Sequence, residues 1–96
     1  MYSEITSFAF IEDKKMYVEF ENGKKGIFDM SKYCLSDFFS ALDNEVYFKR
    51  AHLEYGVITW PEGQDISPET VEMELVPFDL PEGTQLIRES TEYHKA

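Results

Sequence analysis

Few residues of this 96-residue chain have the types and spacing that metal binding or catalysis requires. The two histidines, His52 and His94, lie far apart in the sequence, and no second cysteine accompanies Cys34. A zinc site needs three or four such ligands that converge on one point. The acidic residues do not have the spacing of an EF-hand loop. We therefore predict no metal and no cofactor, with His52 at a helix end or on a strand face and His94 in a solvated tail.

A nucleophilic role for Cys34 would require a neighbouring histidine or a helix N-terminus that activates its thiol. Cys34 instead lies between Tyr33 and Leu35 in an apolar stretch, which favours a buried, inert thiol. The chain has no Gly-x-Ser-x-Gly motif, and its five glycines form no phosphate-binding loop. Nineteen acidic residues make chance pairs of carboxylates too frequent to be informative. The sequence therefore predicts that the protein is not an enzyme.

The segment from Trp60 to Glu69 has the highest density of residues that indicate a specific local structure. Most of it has a structural interpretation, in which Trp60 fills the core and Ser67 caps a helix whose first residue is Pro68. Asp65 has no role in this scheme. It either hydrogen-bonds loop amides, which we favour, or is an exposed recognition residue.

The composition fits a single folded domain. Hydrophobic residues make up 43% of the chain, and eight Phe, six Tyr and one Trp exclude a disordered polypeptide. A net charge of −10 argues against direct binding to nucleic acid or to an anionic membrane. No apolar run approaches the roughly 20 residues of a membrane span, and no signal peptide is recognisable. We therefore expect a cytoplasmic protein.

The charge is not distributed evenly along the chain. Residues 69–96 contain seven acidic and two basic side chains, a net charge of −5, which equals that of the first 68 residues. We therefore predict one α+β domain over residues 1–76, followed by an acidic tail over residues 77–96 that forms an extra strand or an arm.

The first third of the chain has the pattern of a three-stranded antiparallel meander. An apolar run over residues 5–11 is followed by an alternating run over residues 16–20 and, after Asn22-Gly23, by a third strand over residues 24–28. Asn-Gly between alternating runs is a strong hairpin signal because both residues tolerate positive φ.

The register of this hairpin has two alternatives. A two-residue loop would pair Glu21 with Lys24 and Val18 with Ile27. A three-residue loop with a bulge would pair Glu19 with Lys25 and Met16 with Phe28. The sequence does not decide between them.

Short helices follow the meander. Ser36 is expected to cap a helix over residues 37–42, and Asp43 or Asn44 to cap a second helix over residues 46–48. The predicted fold class is thus α+β, with a small antiparallel sheet, a three-stranded meander plus short strands, packed with short helices.

Two short strands are expected on either side of Gly56, and a last helix runs from Ser67-Pro68-Glu69 to about Leu75. The residues predicted to form the core are apolar and belong to every element. They are Phe8, Phe10, Val18, Phe20, Phe28, Phe38, Leu42, Phe48, Trp60, Ile66 and Val71.

Several motifs occur in an order that resembles one protein family. They are Phe20-Glu21-Asn22-Gly23, Phe28-Asp29, Leu42-Asp43 with Phe48, and Trp60-Pro61-x-Gly63-x-Asp65-Ile66-x-Pro68-Glu69. As a combination over roughly residues 5–75, they resemble the small bacterial family called domain of unknown function 2442. The resemblance implies an α+β fold whose short antiparallel sheet is covered by small helices, and it brings no catalytic residues.

Members of that family commonly occur as small stand-alone proteins. Some are encoded beside a second small protein in what resembles a toxin and antitoxin arrangement, and some carry a helix-turn-helix segment. Only twenty residues follow Val76 in this chain, and their prolines and acidic balance do not fit a DNA-reading helix pair. The resemblance therefore implies protein binding.

We predict a protein-interaction module, an antitoxin-like partner of a small basic protein, with no direct contact to nucleic acid or membrane. An acidic surface accelerates association with a basic partner, and a tail that orders on binding can wrap a large area. The side chains expected to contribute are Asp65, Glu72, Glu74, Asp79, Glu82 and Glu89.

Two other functions are alternatives. One is an accessory domain of a transcription regulator that reaches DNA through a partner. The other is a small-molecule or enzyme site centred on Trp60, Asp65, Tyr55 and His52. The exposed edge of a short sheet is also compatible with a homodimer.

Overall fold

The computed structural model describes residues 3–88. Within this range the strands are β1 (Ile5–Glu12), β2 (Lys15–Phe20), β3 (Lys25–Asp29), β4 (His52–Glu54), β5 (Val57–Thr59), β6 (Asp65–Ile66), β7 (Val76–Pro77) and β8 (Ile87–Arg88). The helices are α1 (Glu45–Phe48), α2 (Pro68–Glu74) and two 3-10 helices, Tyr33–Leu35 and Ser40–Asp43. These elements form antiparallel sheets with short helices, so the predicted α+β fold class is confirmed.

The meander of β1, β2 and β3 is the middle of a five-stranded sheet in the order β7-β3-β2-β1-β8. Met16 pairs with Phe28, which is the register of the alternative with a bulge. The side-chain oxygen of Asn22 accepts a hydrogen bond from the backbone N–H of Lys24 at 3.0 Å. Gly23 adopts φ +93°, a conformation that glycine reaches without steric cost. These two residues thus hold the turn in this register.

One face of this sheet carries the hydrophobic core. Side chains alternate between the two faces of a strand, and Phe8, Met16, Val18 and Phe28 are completely buried on the inner face. Nine of the eleven predicted core residues are buried, and Phe10 is partly buried against them. The alternating pattern of the meander therefore identified the inner face correctly.

The outer face of the sheet is also covered in part. Ser7 and Tyr17 alternate with core residues, yet each is only 1% exposed. Burial, a hydrogen bond from the Tyr17 hydroxyl to Glu19 and the charges of Glu19 and Asp79 all raise the pKa of Tyr17. Residues 78–86 connect β7 to β8, which lie at opposite edges of the sheet.

The second sheet consists of β4, β5 and β6 in that order. Gly56 adopts φ +80° in the turn between β4 and β5, and its carbonyl accepts a hydrogen bond from the N–H of Ile5 at 3.1 Å. The side chains of Leu53, Ile58 and Ile66 point away from solvent and belong to the same core cluster as the first sheet. The two sheets therefore share one core.

Between β3 and α1 the chain forms turns and 3-10 helices instead of the predicted helix over residues 37–42. The backbone N–H of Phe39 does donate to the Ser36 hydroxyl at 3.3 Å, as expected for a cap. The prediction that Phe38 is buried is nevertheless wrong, because its side chain is 62% exposed. Turns and 3-10 helices rotate successive side chains differently from an α-helix, so Phe39 and Leu42 face the core and Phe38 does not.

The helix α2 begins at the predicted residue, and α1 is capped by Asn44, one of the two predicted caps. Asn44 caps α1 by accepting a hydrogen bond from the N–H of Tyr47 at 3.0 Å. Ser67 caps α2 by accepting one from the N–H of Glu69 at 3.2 Å, and Pro68 occupies the first turn, where its missing N–H is not needed. No helix among residues 3–88 is both long and apolar enough to cross a membrane.

The chain after α2 contributes both outer strands of the first sheet. In β8, Ile87 pairs with Phe8 and Arg88 with Ser7 of β1. The division into a domain over residues 1–76 and a tail over residues 77–96 stays a prediction, and the residues after Arg88 lie outside the described range.

Candidate functional site

Two surface grooves of the described residues lie along β7. In this edge strand, Pro77 pairs with Gly26 and Val76 with Ile27 of β3. A Cβ atom at position 26 would lie 2.2 Å from the carbonyl oxygen of Val76, so β7 can approach β3 only because residue 26 is glycine. Proline suits an edge strand because its nitrogen has no hydrogen to donate.

A groove with a volume of about 400 Å³ lies on the outer-face side of β7, and we call it the isoleucine groove. Ile11, Ile27, Val76 and Phe78 form its apolar part. Val76 and Phe78 are 63% and 40% exposed, and both line the same groove, so they form a shared apolar patch and are not singly exposed residues. The groove thus offers apolar surface that the fold itself does not bury.

The rim of the isoleucine groove is acidic. Its charged residues are Glu12, Asp29, Glu74 and Lys15, so three carboxylates accompany one ammonium group. The N–H of Ser31 donates to Asp29 at 2.8 Å. Hydrogen bonds from Ser31 lower the pKa of Asp29, so this carboxylate stays ionised to a lower pH than an ordinary aspartate.

A second groove, with a volume of about 460 Å³, begins on the other side of Phe78. We call it the lysine groove because Lys24 and Lys25 line it, together with Glu72, Leu75 and Asp79. The Phe78 ring lines both grooves. The two grooves therefore form one surface that follows β3 and β7, and we call it the β7 surface.

Glu72 binds the turn between β2 and β3. Its carboxylate lies 2.7 Å from the Lys24 ammonium and 3.4 Å from the side-chain amide of Asn22. The hydrogen bond from Lys24 is the main cause that lowers the pKa of Glu72. Glu72 is therefore an ionised group of the lysine groove with a partner inside the same chain.

Glu74 binds the segment that follows β3. The Tyr33 hydroxyl donates to its carboxylate at 2.6 Å, and the Lys32 ammonium lies 3.1 Å away. These two hydrogen bonds, Tyr33 first, lower the pKa of Glu74. Glu74 thus links α2 to the 3-10 helix at Tyr33–Leu35 while it lines the isoleucine groove.

Of the six predicted interaction residues, the structure brings Glu72, Glu74 and Asp79 together at the β7 surface. Asp79 is nearly fully exposed, 3.8 Å from the Lys25 ammonium. Asp65 and Glu82 are exposed but line neither groove. Glu89 lies outside the described residues.

Asp65 lies on β6, directly after the loop that was expected to use its carboxylate. The loop amides bind other acceptors: the N–H of Glu62 donates to the Tyr47 hydroxyl and that of Gly63 to the Trp60 carbonyl, both at 2.9 Å. Exposure of Asp65 fits the other alternative, an accessible carboxylate.

The residues considered for small-molecule chemistry do not converge. Trp60 is 1% exposed, and its indole N–H donates to the Phe48 carbonyl at 2.8 Å, so it belongs to the core. His52 lies on β4, as predicted for a strand-face residue, and contacts the Glu54 carboxylate. Thr59 separates His52 from Asp65 in one row of the small sheet, which is the polar outer row expected of a half-exposed sheet.

Cys34 is buried, as predicted. Burial is the main cause that raises the pKa of its thiol, which disfavours the reactive thiolate. Among residues 3–88, no three His, Cys, Asp or Glu side chains are grouped so that they could hold a metal ion.

Sequence reasoning missed the apolar half of the β7 surface. Phe78 lies with Asp79 and Leu80 between Pro77 and Pro81 and is the largest apolar side chain of this short stretch. A large aromatic residue between two prolines that prevent helix formation was a usable signal, because such a residue has to pack on a neighbouring element or remain exposed. Ile11 and Ile27 gave no such signal, since strand alternation assigns them to the outer face without showing what lies there.

We expect Glu74 to contribute to a loss of stability at low pH. Its folded-state pKa is below the ordinary value of 4.5, so the ionised group stabilises the fold above that pH, and this contribution disappears as the pH falls through the lowered pKa. Urea unfolding between pH 7 and pH 3 should therefore show a smaller loss of unfolding free energy for Glu74→Gln than for the unmodified chain. Glu82→Gln, an exposed carboxylate outside both grooves, is the control. Equal pH dependence of Glu74→Gln and the unmodified chain would contradict the role of the Tyr33 and Lys32 contacts.

Comparison with known proteins matches the chain to one family. A model described as "Protein of unknown function (DUF2442)" matches residues 5–76. No curated protein and no solved structure matches the chain. The matched range includes the meander, the small sheet and α2, and it ends at Val76 in the first residue of β7. The chain therefore belongs to the DUF2442 family.

Proposed function

We propose that this protein is a protein-interaction module that binds a small basic protein, as an antitoxin binds its toxin, and that it docks a segment of this partner on the β7 surface. The observation that carries the proposal is the isoleucine groove, where exposed apolar side chains lie beside three carboxylates and one lysine. Such a groove complements a segment in which apolar residues are flanked by Lys or Arg.

The shape of the β7 surface favours an extended segment. The two grooves follow β3 from the turn at Gly23 to Asp29 and meet at Phe78. An extended chain rises about 3.3 Å per residue, so a segment of about six residues, roughly 20 Å long, would reach along both grooves. Because Phe78 lines both grooves, apolar side chains of such a segment would contact its ring in each of them.

The distribution of charge in the chain also supports a basic partner. All six lysines between residues 3 and 88 already have an acidic neighbour within 4 Å. The excess of carboxylates is therefore not neutralised within the fold, and it attracts positive charge from outside. In this proposal the protein acts in the cytoplasm, without catalysis and without direct contact to nucleic acid.

The first test is purification of the tagged full-length chain from its native host at low salt, followed by mass spectrometry. We expect one small basic protein in stoichiometric amount, released as the salt concentration rises. A gel shift at low salt should detect no DNA binding by the isolated chain. Recovery of the chain alone, or of a complex that is insensitive to salt, would contradict the proposal.

We expect Glu12→Gln to weaken the complex with this basic protein about fivefold, mainly through slower association, because it removes one carboxylate from the rim of the isoleucine groove. Surface plasmon resonance at low salt measures both rate constants.

Glu45→Gln is the matched control. Glu45 has the same side-chain exposure as Glu12, 68%, and its ion pair with Lys49 has the same length as that of Glu12 with Lys15, 3.6 Å. The two substitutions therefore change net charge and ion pairing equally, but only Glu12 lines the isoleucine groove. Glu12 and Glu45 both line a smaller pocket outside this groove. Equal effects of both substitutions would therefore show that the negative charge on this side of the protein, and not the isoleucine groove, attracts the partner.

A further inference from the structure

A second apolar surface lies on the segment between β3 and α1. Leu35 is 88% exposed and Phe38 is 62% exposed, and we call these two residues the Phe38 ridge. They are three positions apart, at the end of one 3-10 helix and in the turn after it. Single exposed apolar residues are common, but neighbouring large ones indicate a binding surface.

The backbone of the Phe38 ridge is held in place by buried neighbours. Cys34 and Leu42, on either side of the ridge, are 6% and 0% exposed. The N–H of Cys34 donates to the Met30 carbonyl at 3.2 Å, and the N–H of Leu42 to the Phe39 carbonyl at 2.9 Å. The exposed side chains are therefore presented by an anchored segment.

The ring of Phe38 is also oriented before any partner binds. It contacts the Phe39 ring edge-to-face, with centroids 4.7 Å apart and an interplanar angle of 77°. Phe39 in turn contacts Tyr33, and Tyr33 stacks on the buried Phe28. A ring with a fixed orientation loses less conformational entropy on binding than a free one, as observed for aromatic anchors of interfaces.

The Phe38 ridge is connected to the isoleucine groove through Tyr33. The ring of Tyr33 contacts Phe39, while its hydroxyl donates to the groove residue Glu74 at 2.6 Å. Tyr33 thus links Glu74 of the groove, through Phe39, to the ring of Phe38.

The charge beside the ridge is negative. Asp37 lies between Leu35 and Phe38 in sequence, is exposed, and takes part in none of the ion pairs among the described residues. A second copy of this chain would bring its own carboxylates to this surface and would repel it. A basic polypeptide would neutralise Asp37 while its apolar side chain covers the ring of Phe38.

We infer that the Phe38 ridge is a second anchor site for the basic partner, which places there an apolar side chain flanked by Lys or Arg. This inference rests on the proposed function and deepens it, since it assigns the partner a contact outside the β7 surface. Truncation of a central aromatic anchor commonly weakens an interface at least tenfold.

The test uses the photoreactive amino acid p-benzoylphenylalanine in place of Phe38 in the full chain, expressed in the native host. We expect a crosslink to a protein with more Lys and Arg than Asp and Glu, at a site where Leu, Ile, Met or Phe adjoins Lys or Arg. The same probe in place of Tyr55, an aromatic residue of similar exposure, 65%, in the β4–β5 turn, should not give this crosslink. A crosslink to a second copy of the chain, or to the same proteins from both positions, would overturn the inference.

The affinity of the crosslinked protein then separates this inference from the proposed function. Phe38→Ser should weaken binding at least tenfold with little change in melting temperature, and Tyr55→Ser should leave binding unchanged. If the basic protein binds and responds to Glu12→Gln but not to Phe38→Ser, the proposed function stands and the ridge is not an anchor. If no basic protein is recovered or crosslinked, both fail.

Discussion

Replacing Trp60 with alanine should destabilise the fold by about 3–5 kcal/mol, the usual cost of removing a large buried aromatic side chain. Trp60 is 1% exposed and packs against Phe48, with ring centroids 5.9 Å apart. Its N–H also satisfies the Phe48 carbonyl, which would lose that partner. A 96-residue chain has a total stability of about 5–14 kcal/mol, so this one substitution removes a large part of it.

Two further variants divide this effect into its causes. Trp60→Phe keeps an apolar ring but removes the shorter of the two hydrogen bonds to the Phe48 carbonyl, leaving only the one from the Ala51 N–H at 3.4 Å, so we expect an intermediate loss. Phe38→Ala removes an exposed ring and should cost less than about 1 kcal/mol. Because Trp60 is the only tryptophan, urea unfolding has to be followed by far-ultraviolet circular dichroism. Similar losses for Trp60→Ala and Phe38→Ala would contradict the assignment of Trp60 to the core.

The structural role of Trp60 explains the many turn and helix-start residues in the segment from Trp60 to Glu69. The backbone N–H of Trp60 donates to the Gln64 carbonyl at 2.8 Å, which closes the loop. The Tyr47 hydroxyl donates to the side chain of Gln64 at 2.7 Å and ties the loop to α1. The segment thus connects the small sheet to α1 and α2, and these folding contacts explain its pattern of residues.

Features that depend on neighbouring residues could be predicted from the sequence. The caps of α1 and α2 follow from Asn44 and from Ser67-Pro68, because a cap needs only a side-chain acceptor and the backbone of the next turn. The inner face of the meander follows from alternation. The register at Asn22-Gly23 did not follow, since the same dipeptide suits turns of different length and the choice depends on the hydrogen bond to Lys24.

Features that depend on distant segments could not be predicted. The sequence indicated that the region around Glu72 is acidic, but Lys24 lies 48 positions away, and their contact exists only because α2 packs near the β2–β3 turn. Phe38 was misassigned for a related reason. Whether Phe38 is buried depends on the type of coil that residues 36–43 form. The prediction assumed an α-helix that turns Phe38 toward the core, whereas the turns and the 3-10 helix of the structure leave it facing solvent.

The internal ion pairs change what the acidic residues of α2 mean for binding. Glu72 and Glu74 have lysine partners in the same chain, so a basic partner gains from them only if it replaces Lys24 and Lys32 or adds to them. A carboxylate that takes part in none of the ion pairs among residues 3–88, such as Asp37, attracts a partner at no such cost. Apolar contacts at Phe78 and Phe38 would then determine how long the complex lasts.

Gly26→Ala should abolish the β7 surface while most of the fold remains. The added Cβ would lie 2.2 Å from the Val76 oxygen and 2.7 Å from its carbonyl carbon, and both are backbone atoms that cannot rotate away. We therefore expect β7 to separate from β3, with a loss of about 1–3 kcal/mol in unfolding free energy. Because Val76 and Phe78 would leave the grooves, binding of the basic partner should fall at least tenfold.

Gly63→Ala separates loss of the site from loss of stability. Gly63 has φ +99° and no atom within 4 Å of an added Cβ, so alanine there is strained, at a cost of about 1–3 kcal/mol, without a clash. Both variants should unfold at lower urea concentration, but only Gly26→Ala should lose the partner in surface plasmon resonance. If Gly26→Ala binds as tightly as Gly63→Ala, the partner does not use the β7 surface, because no arrangement of β7 on β3 can accommodate the added carbon atom without moving Val76.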